Sequence, residues 1–156
     1  MTARTVKPNA AKGPRLKKLD VLVHPHCARG GLYYDGEWRK SIDRTAQDKS
    51  SAFVIFSNVA NRTLYEGEPT AKRDELVRYA RDKLGRRLVV TTDAKRLKGV
   101  LEARGFRLGN KVGIEAYGMY YGICVPMYAE MVRSALKQKR YHTDLSRSVE
   151  VRAINP

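Results

Sequence analysis

The chain has 156 residues, enough for one domain with a substantial core, and 42% of them are hydrophobic. No apolar run reaches the roughly 18 residues of a membrane-spanning helix, and no apolar leader follows Met1. Two cysteines, Cys27 and Cys124, cannot make a disulfide framework and suit a reduced, cytoplasmic protein. The charge is less ordinary: 31 Lys and Arg against 16 Asp and Glu give a formal net charge of +15, which favours a polyanionic partner, nucleic acid being the commonest.

In chain order, residues 1–18 hold Arg4, Lys7, Lys12, Arg15, Lys17 and Lys18, no acid and little to bury. Such a segment reads as a disordered basic arm, with one domain following over 19–156. Leu19 to His24 is a Val-rich apolar run, the pattern of a buried strand ended by Pro25, and Gly30-Gly31 marks a loop. Residues 36–48 suit a helix, with Trp38, Ile42 and Ala46 four apart. Ala52 to Ser57 is the clearest strand, and residues 58–70 read as an irregular loop. Asp74 to Leu84 is helical, with Leu76, Tyr79, Ala80 and Leu84 on one face and Gly85 as its stop.

Arg87 to Thr92 is a third strand, and Asp93 is placed to cap the helix carrying Leu97, Val100 and Leu101. Lys111 to Ala116 is the fourth strand and Val125 to Lys137 the fourth helix. Ser148 to Ala153 alternates strictly and reads as an edge strand. Strands alternating with helices imply right-handed βαβ units. The expected fold is therefore an α/β, three-layer, Rossmann-like one, with five mainly parallel strands and helices on both faces.

Ligands of open α/β sheets bind beyond the carboxyl ends of the strands. Those ends carry His24, His26 and Cys27, then Ser57 and Asn58, then Thr91 to Asp93, then Glu115, Tyr117 and the turn from Gly118 to Cys124. His24-Pro25-His26-Cys27 could supply zinc ligands with Cys124 or Asp93, but no second spaced pair supports a closed site, so no metal or cofactor is expected. Neither Gly30-Gly31 nor Gly118…Gly122 matches a phosphate-binding glycine loop. Tyr120 and Tyr121, with Tyr33, Tyr34 and Trp38 if the loops meet, could stack on exposed bases beside the cations of residues 1–18.

Cys124 falls just before a helix that opens near Pro126, where free N–H groups and the helix dipole favour a thiolate. A Cys124 nucleophile with His24 or His26 as base, and Asp93 nearby, is the enzymatic alternative. The order of parts over residues 19–154 resembles the isochorismatase-like cysteine hydrolases. In that family the fourth strand runs into Gly, five residues, Cys-Val and a helix with an early Ala, matched here by Gly118, Cys124-Val125 and Ala129. The resemblance implies the same sheet and a cysteine nucleophile. The family's base aspartate ends strand one, where this chain has Val23-His24-Pro25, and its lysine follows strand three, where the nearest is Lys95. The first expectation is a non-catalytic domain binding RNA or DNA, within a nucleoprotein particle or alone. A structural module with a basic arm is a further alternative. No membrane partner is expected, and the sequence leaves the oligomeric state open.

Overall fold

The computed structural model describes residues 13–26, 33–57 and 68–149. The run Leu19-Asp20-Val21-Leu22-Val23 has apolar residues at alternating and intervening positions alike, a pattern that suits a strand covered on both faces. It forms β1 (Lys18–Val23), and every residue after Lys18 is buried. The remaining elements are α1 (Asp35–Gln47), β2 (Ser51–Phe56), α2 (Glu68–Leu84), β3 (Leu88–Thr91), α3 (Leu97–Ala103), β4 (Gly113–Gly118), α4 (Cys124–Ala135) and β5 (His142–Thr143). The sheet order is β3-β2-β1-β4-β5 and every pairing is parallel. β1 lies at the centre, with Val23 opposite both Phe56 and Gly118.

Alternation along the strands builds two cores. Leu19, Val21, Val23, Val54, Phe56 and Ala116 face α3 and α4, which contribute Leu97, Leu101, Val125, Ala129 and Val132. Leu22, Phe53, Ile55 and Tyr117 face α1 and α2, which contribute Trp38, Ile42, Leu76, Ala80 and Leu84. The first two crossovers share one face and the last two the other, so the winding reverses between β1 and β4. This three-layer, Rossmann-like arrangement places a switch-point crevice beyond the carboxyl ends of those two strands. No helix among the described residues is long and apolar enough to cross a membrane.

Local chemistry sets the boundaries. Asp35 and Glu37 in the first turn of α1 complement its dipole. At its other end the Arg87 guanidinium donates to the carbonyls of Thr45, Ala46 and Asp48 at 2.6–2.7 Å, satisfying groups that a helix end leaves unpaired. Gly85 stops α2 at φ +53°, a conformation that costs glycine little.

Four expectations need correction. Residues 13–18 are not part of an arm. Leu16 is buried against Phe106 and Val112, Arg15 bridges Arg107, and Leu16 N donates to Arg107 O at 2.8 Å. Burying Leu16 is worth about 1.5–3 kcal/mol, and the backbone hydrogen bonds of Leu16 and Lys17 add to it; residues 1–12 lie outside the described residues. The fifth strand is His142–Thr143 rather than 148–153; Val149 makes one isolated bridge to Met119, and 150–153 lie outside the described residues. Residues 68–70 belong to α2, not to a loop. Asp93 does not cap α3, whose preceding residue is Arg96. Its carboxylate instead accepts from Lys95 N at 2.8 Å, closing a turn one step earlier.

Gly118 leaves no room for a side chain. Its φ is +131°, and a Cβ there would lie 2.3 Å from the Val23 carbonyl oxygen. Gly118→Ala should cost about 3 kcal/mol or more in a denaturant titration followed by circular dichroism; a loss below about 1 kcal/mol would show that β1 and β4 can separate there without penalty.

Candidate functional site

Because all five strands run the same way, the segments entering them share one edge of the sheet and the segments leaving them share the other. The entering segments are residues 13–18, 48–50, 85–87, 104–112 and 136–141. They carry Arg15, Lys17 and Lys18, Lys49, Arg86 and Arg87, Arg104, Arg107 and Lys111, and Lys137, Lys139 and Arg140, against the single acid Asp48. The described leaving segments, 24–26, 57, 92–96, 119–123 and 144–149, carry Lys95, Arg96 and Arg147 against Asp93 and Asp144. The positive charge is gathered at the amino edge.

Four of those cations have other work. Arg87 holds the end of α1, Arg104 donates to the carbonyls of Arg86 and Leu88, Arg107 donates to the Gly13 carbonyl at 2.9 Å, and Lys18 pairs with Glu115 at 3.3 Å. The other eight are exposed and make no ion pair with a described residue. Beside them β5 pairs only with Glu115 and Ala116, which leaves the amino half of β4 uncovered. The result is an open groove of about 650 Å³ bounded by Lys111, Gly113, Ile114, Gln138, Lys139, Arg140 and His142, with no carboxylate in its wall among the described residues. Gln138 shapes its floor: its side chain accepts from Val112 N and donates to the carbonyls of Gly109 and Leu136, all at 2.8–2.9 Å.

The carboxyl edge holds the residues expected for chemistry. His24 and His26 have φ of +47° and +59°, strained for residues with a Cβ, and both are buried. They point to opposite faces. The His24 ring meets Tyr128 of α4 edge-on at 4.8 Å, and the His26 ring meets Trp38 of α1 at 5.2 Å. His26 Nε2–H donates to Asp35 at 2.7 Å, and Arg39 holds the other oxygen of that carboxylate at 2.7 Å. Burial lowers the pKa of both imidazoles below the ordinary 6.5; at His26 it outweighs the opposing pull of Asp35. Among the described residues the Nδ1 atom of each ring has no hydrogen-bond partner.

Cys124 is the first residue of α4 rather than one ahead of it, and Pro126 is third, where its missing N–H still falls among the unpaired ones. The thiol is partly buried in the core on the α3–α4 side, and that burial raises its pKa above the usual value instead of lowering it. No hydrogen bond joins it to either histidine among the described residues. His24 shares its face but has no carboxylate behind it; His26 has Asp35 but lies on the other face. Asp93 is exposed and occupied by its turn. A Cys–His–Asp relay is therefore not assembled from these residues. Among the described residues no three His, Cys, Asp or Glu side chains come together in a metal-binding group; Cys27 lies outside them.

Of the basic residues expected to contact nucleic acid, Arg4, Lys7 and Lys12 lie outside the described residues, and the other three are at the opposite edge from the tyrosines. Arg15, Lys17 and Lys18 open β1, whereas Tyr120 and Tyr121 follow β4. Tyr120 packs toward the α1 face and Tyr121 toward the α4 face, so they do not form one stacking platform.

A buried polar cluster was not anticipated. Arg147 inserts beneath the sheet on the α1 side with its guanidinium 3.7 Å from the centre of the Tyr117 ring. It donates to Asp144 at 2.6 Å and Ser41 at 2.8 Å, and pairs with Glu115 at 3.0 Å and Asp20 at 3.5 Å. Tyr117 donates to Asp20 at 2.6 Å, and Trp38 to the Arg147 carbonyl at 2.8 Å. Burial raises the Asp20 pKa, against the Tyr117 hydrogen bond and the charges of Lys18 and Arg147. The cluster ties β1, β4, α1 and residues 144–149 together. The one visible signal for it was an aspartate inside an apolar strand.

Two outcomes follow from the carboxyl edge. In a Cys27→Ser background, Cys124 should react with iodoacetamide more slowly than a free thiol at neutral pH, with a midpoint above about 8.5; fast reaction at neutral pH would restore the nucleophile. A histidine whose pKa is depressed on folding stabilises the protein above its unfolded value and stops doing so as pH falls. The free energy of unfolding should therefore drop between about pH 7 and pH 5, and His24→Phe should flatten that drop. An unchanged pH profile in the variant would show that His24 is not held neutral by the fold.

Comparison of the chain with family models, with curated proteins and with solved structures returns no match. What the two edges do is read from their residues alone.

Proposed function

We propose that the protein binds nucleic acid, RNA or DNA, through the amino edge of its sheet, without catalysis, as a cytoplasmic component of a nucleoprotein particle or on its own. The observation that carries this is the segregation of charge: twelve cations and one carboxylate on the segments entering the strands, eight of the cations exposed and without an ion pair or side-chain hydrogen bond among the described residues. Scattered lysines and arginines would serve solubility equally well. Their concentration on one edge creates a positive potential that attracts and orients a polyanion. Residues 1–12 add Arg4, Lys7 and Lys12 to the chain just before Gly13 at that edge. A Cys124-centred hydrolase is the weaker account, because the thiol is not acidified and its would-be partners are divided between two faces.

Binding should be measured by fluorescence anisotropy at several salt concentrations. Each phosphate contact contributes a log–log slope of about −0.9 on duplex DNA and −0.7 on a single strand. Lys139→Glu with Arg140→Glu should weaken binding about tenfold or more and make the slope shallower. Lys95→Glu with Arg96→Glu, at the opposite edge and with the same change in net charge, should leave affinity within about twofold. Removal of residues 1–12 should also flatten the slope while leaving the fold intact. Equal losses from the two charge reversals would mean that only net charge matters and would overturn the amino-edge site.

A further inference from the structure

We infer that the free edge of β3 carries a second phosphate-binding groove, in which a single strand of nucleic acid continues from the amino edge toward the carboxyl edge. This rests on the nucleic-acid reading above and specifies the form of its ligand.

β3 is the last strand on its side of the sheet, and α2 runs along it. Between them lie two adjoining cavities of about 390 and 440 Å³, which share Arg81 and Val90 and so form one groove. On α2, Arg73, Val77 and Arg81 are four residues apart and therefore line one stripe, with Arg78 beside it. Eight residues of helix span about 12 Å, so the arginines accompany the whole length of the short strand. Arg104 closes the amino end, where it donates to the Leu88 and Arg86 carbonyls and keeps its charge.

The groove is built for an extended anion. Arg78 and Arg81 are exposed and form no ion pair with a described residue. Asp74 is the one carboxylate in the wall among the described residues, and it sits 3.5 Å from Arg73. A guanidinium presents a planar fork of donors that fits phosphate better than a lysine ammonium does. The floor is apolar, formed by Val77 and Val90, and Ser57 offers a hydroxyl at the far end. A space of this size takes a sugar–phosphate chain but not the body of a duplex. Among the described residues no aromatic ring lines it, so binding there should track the backbone with little base preference. Continuity with the first site comes through Arg104 and Arg86, which belong to the amino edge and flank the groove mouth.

The test uses the full chain, with single-stranded RNAs of about 6 and about 20 nucleotides and a duplex of about 20 base pairs. Arg78→Glu with Arg81→Glu is compared with Lys139→Glu with Arg140→Glu, thermal melts confirming that each folds. The groove variant should bind the long single strand about tenfold more weakly, with a log–log salt slope shallower by about 1.4. It should bind the short strand and the duplex as the parent does, because both can be held at the amino edge alone. The amino-edge variant should lose affinity for all three. If the amino-edge variant weakens binding and the groove variant does not, the second groove is overturned and the function stands. If neither weakens binding, both fail. If only the groove variant does, the continuous path is overturned.

Discussion

The separation of charge in this protein depends on the common direction of its strands. β1 is apolar toward both faces and can be satisfied only with helices on each side, which demands a crossover after every strand. Once all connections are crossovers, each loop is assigned to an edge by whether it enters or leaves a strand. The sequence can then charge one edge heavily without bringing those charges near the other. An antiparallel sheet with the same residues would mix entering and leaving loops and cancel much of the polarity.

The second organising feature is the buried charge of Arg147. Taking a guanidinium out of water is costly, and the cost is offset only by a full set of partners. Those partners come from β1, β4, α1 and the residue's own turn. On the α1 side residues 144–149, with the 3-10 turn Leu145–Arg147, pack against β4 with Arg147 as the anchor. Asp20, Glu115 and Asp144 are thus consumed inside the fold or at its margin, which removes carboxylates that would otherwise oppose the surface cations.

Much of the architecture was legible from pattern. Val-rich runs, glycine stops and amphipathic spacing located four strands and four helices to within a few residues, the start of α2 excepted, since those features are local. What escaped was non-local. The fifth strand is two residues long and is set by pairing with Glu115 and Ala116, not by its own alternation. Leu16 looked like one apolar residue in a polar arm until Phe106 and Val112, far along the chain, covered it. The faces taken by His24 and His26 depend on two left-handed backbone conformations that residue type does not announce. The polarity of charge could have been found earlier, because a parallel topology and a list of entering loops suffice to predict it.

The edges of the sheet bear on how the chain behaves in company. An open strand edge is a template for another strand, the usual route to ordered aggregation. Here one edge offers four residues and has an arginine seated on its Leu88 carbonyl, and the other offers two. Neither presents a run long enough to recruit a neighbour, and like-charged copies repel one another. The same arginines that would hold a phosphate chain thus keep the protein dispersed without one. Colloidal behaviour should accordingly follow the ratio of anion to protein: separate at low ratio, condensed near charge neutrality and dispersed again when the anion is in excess.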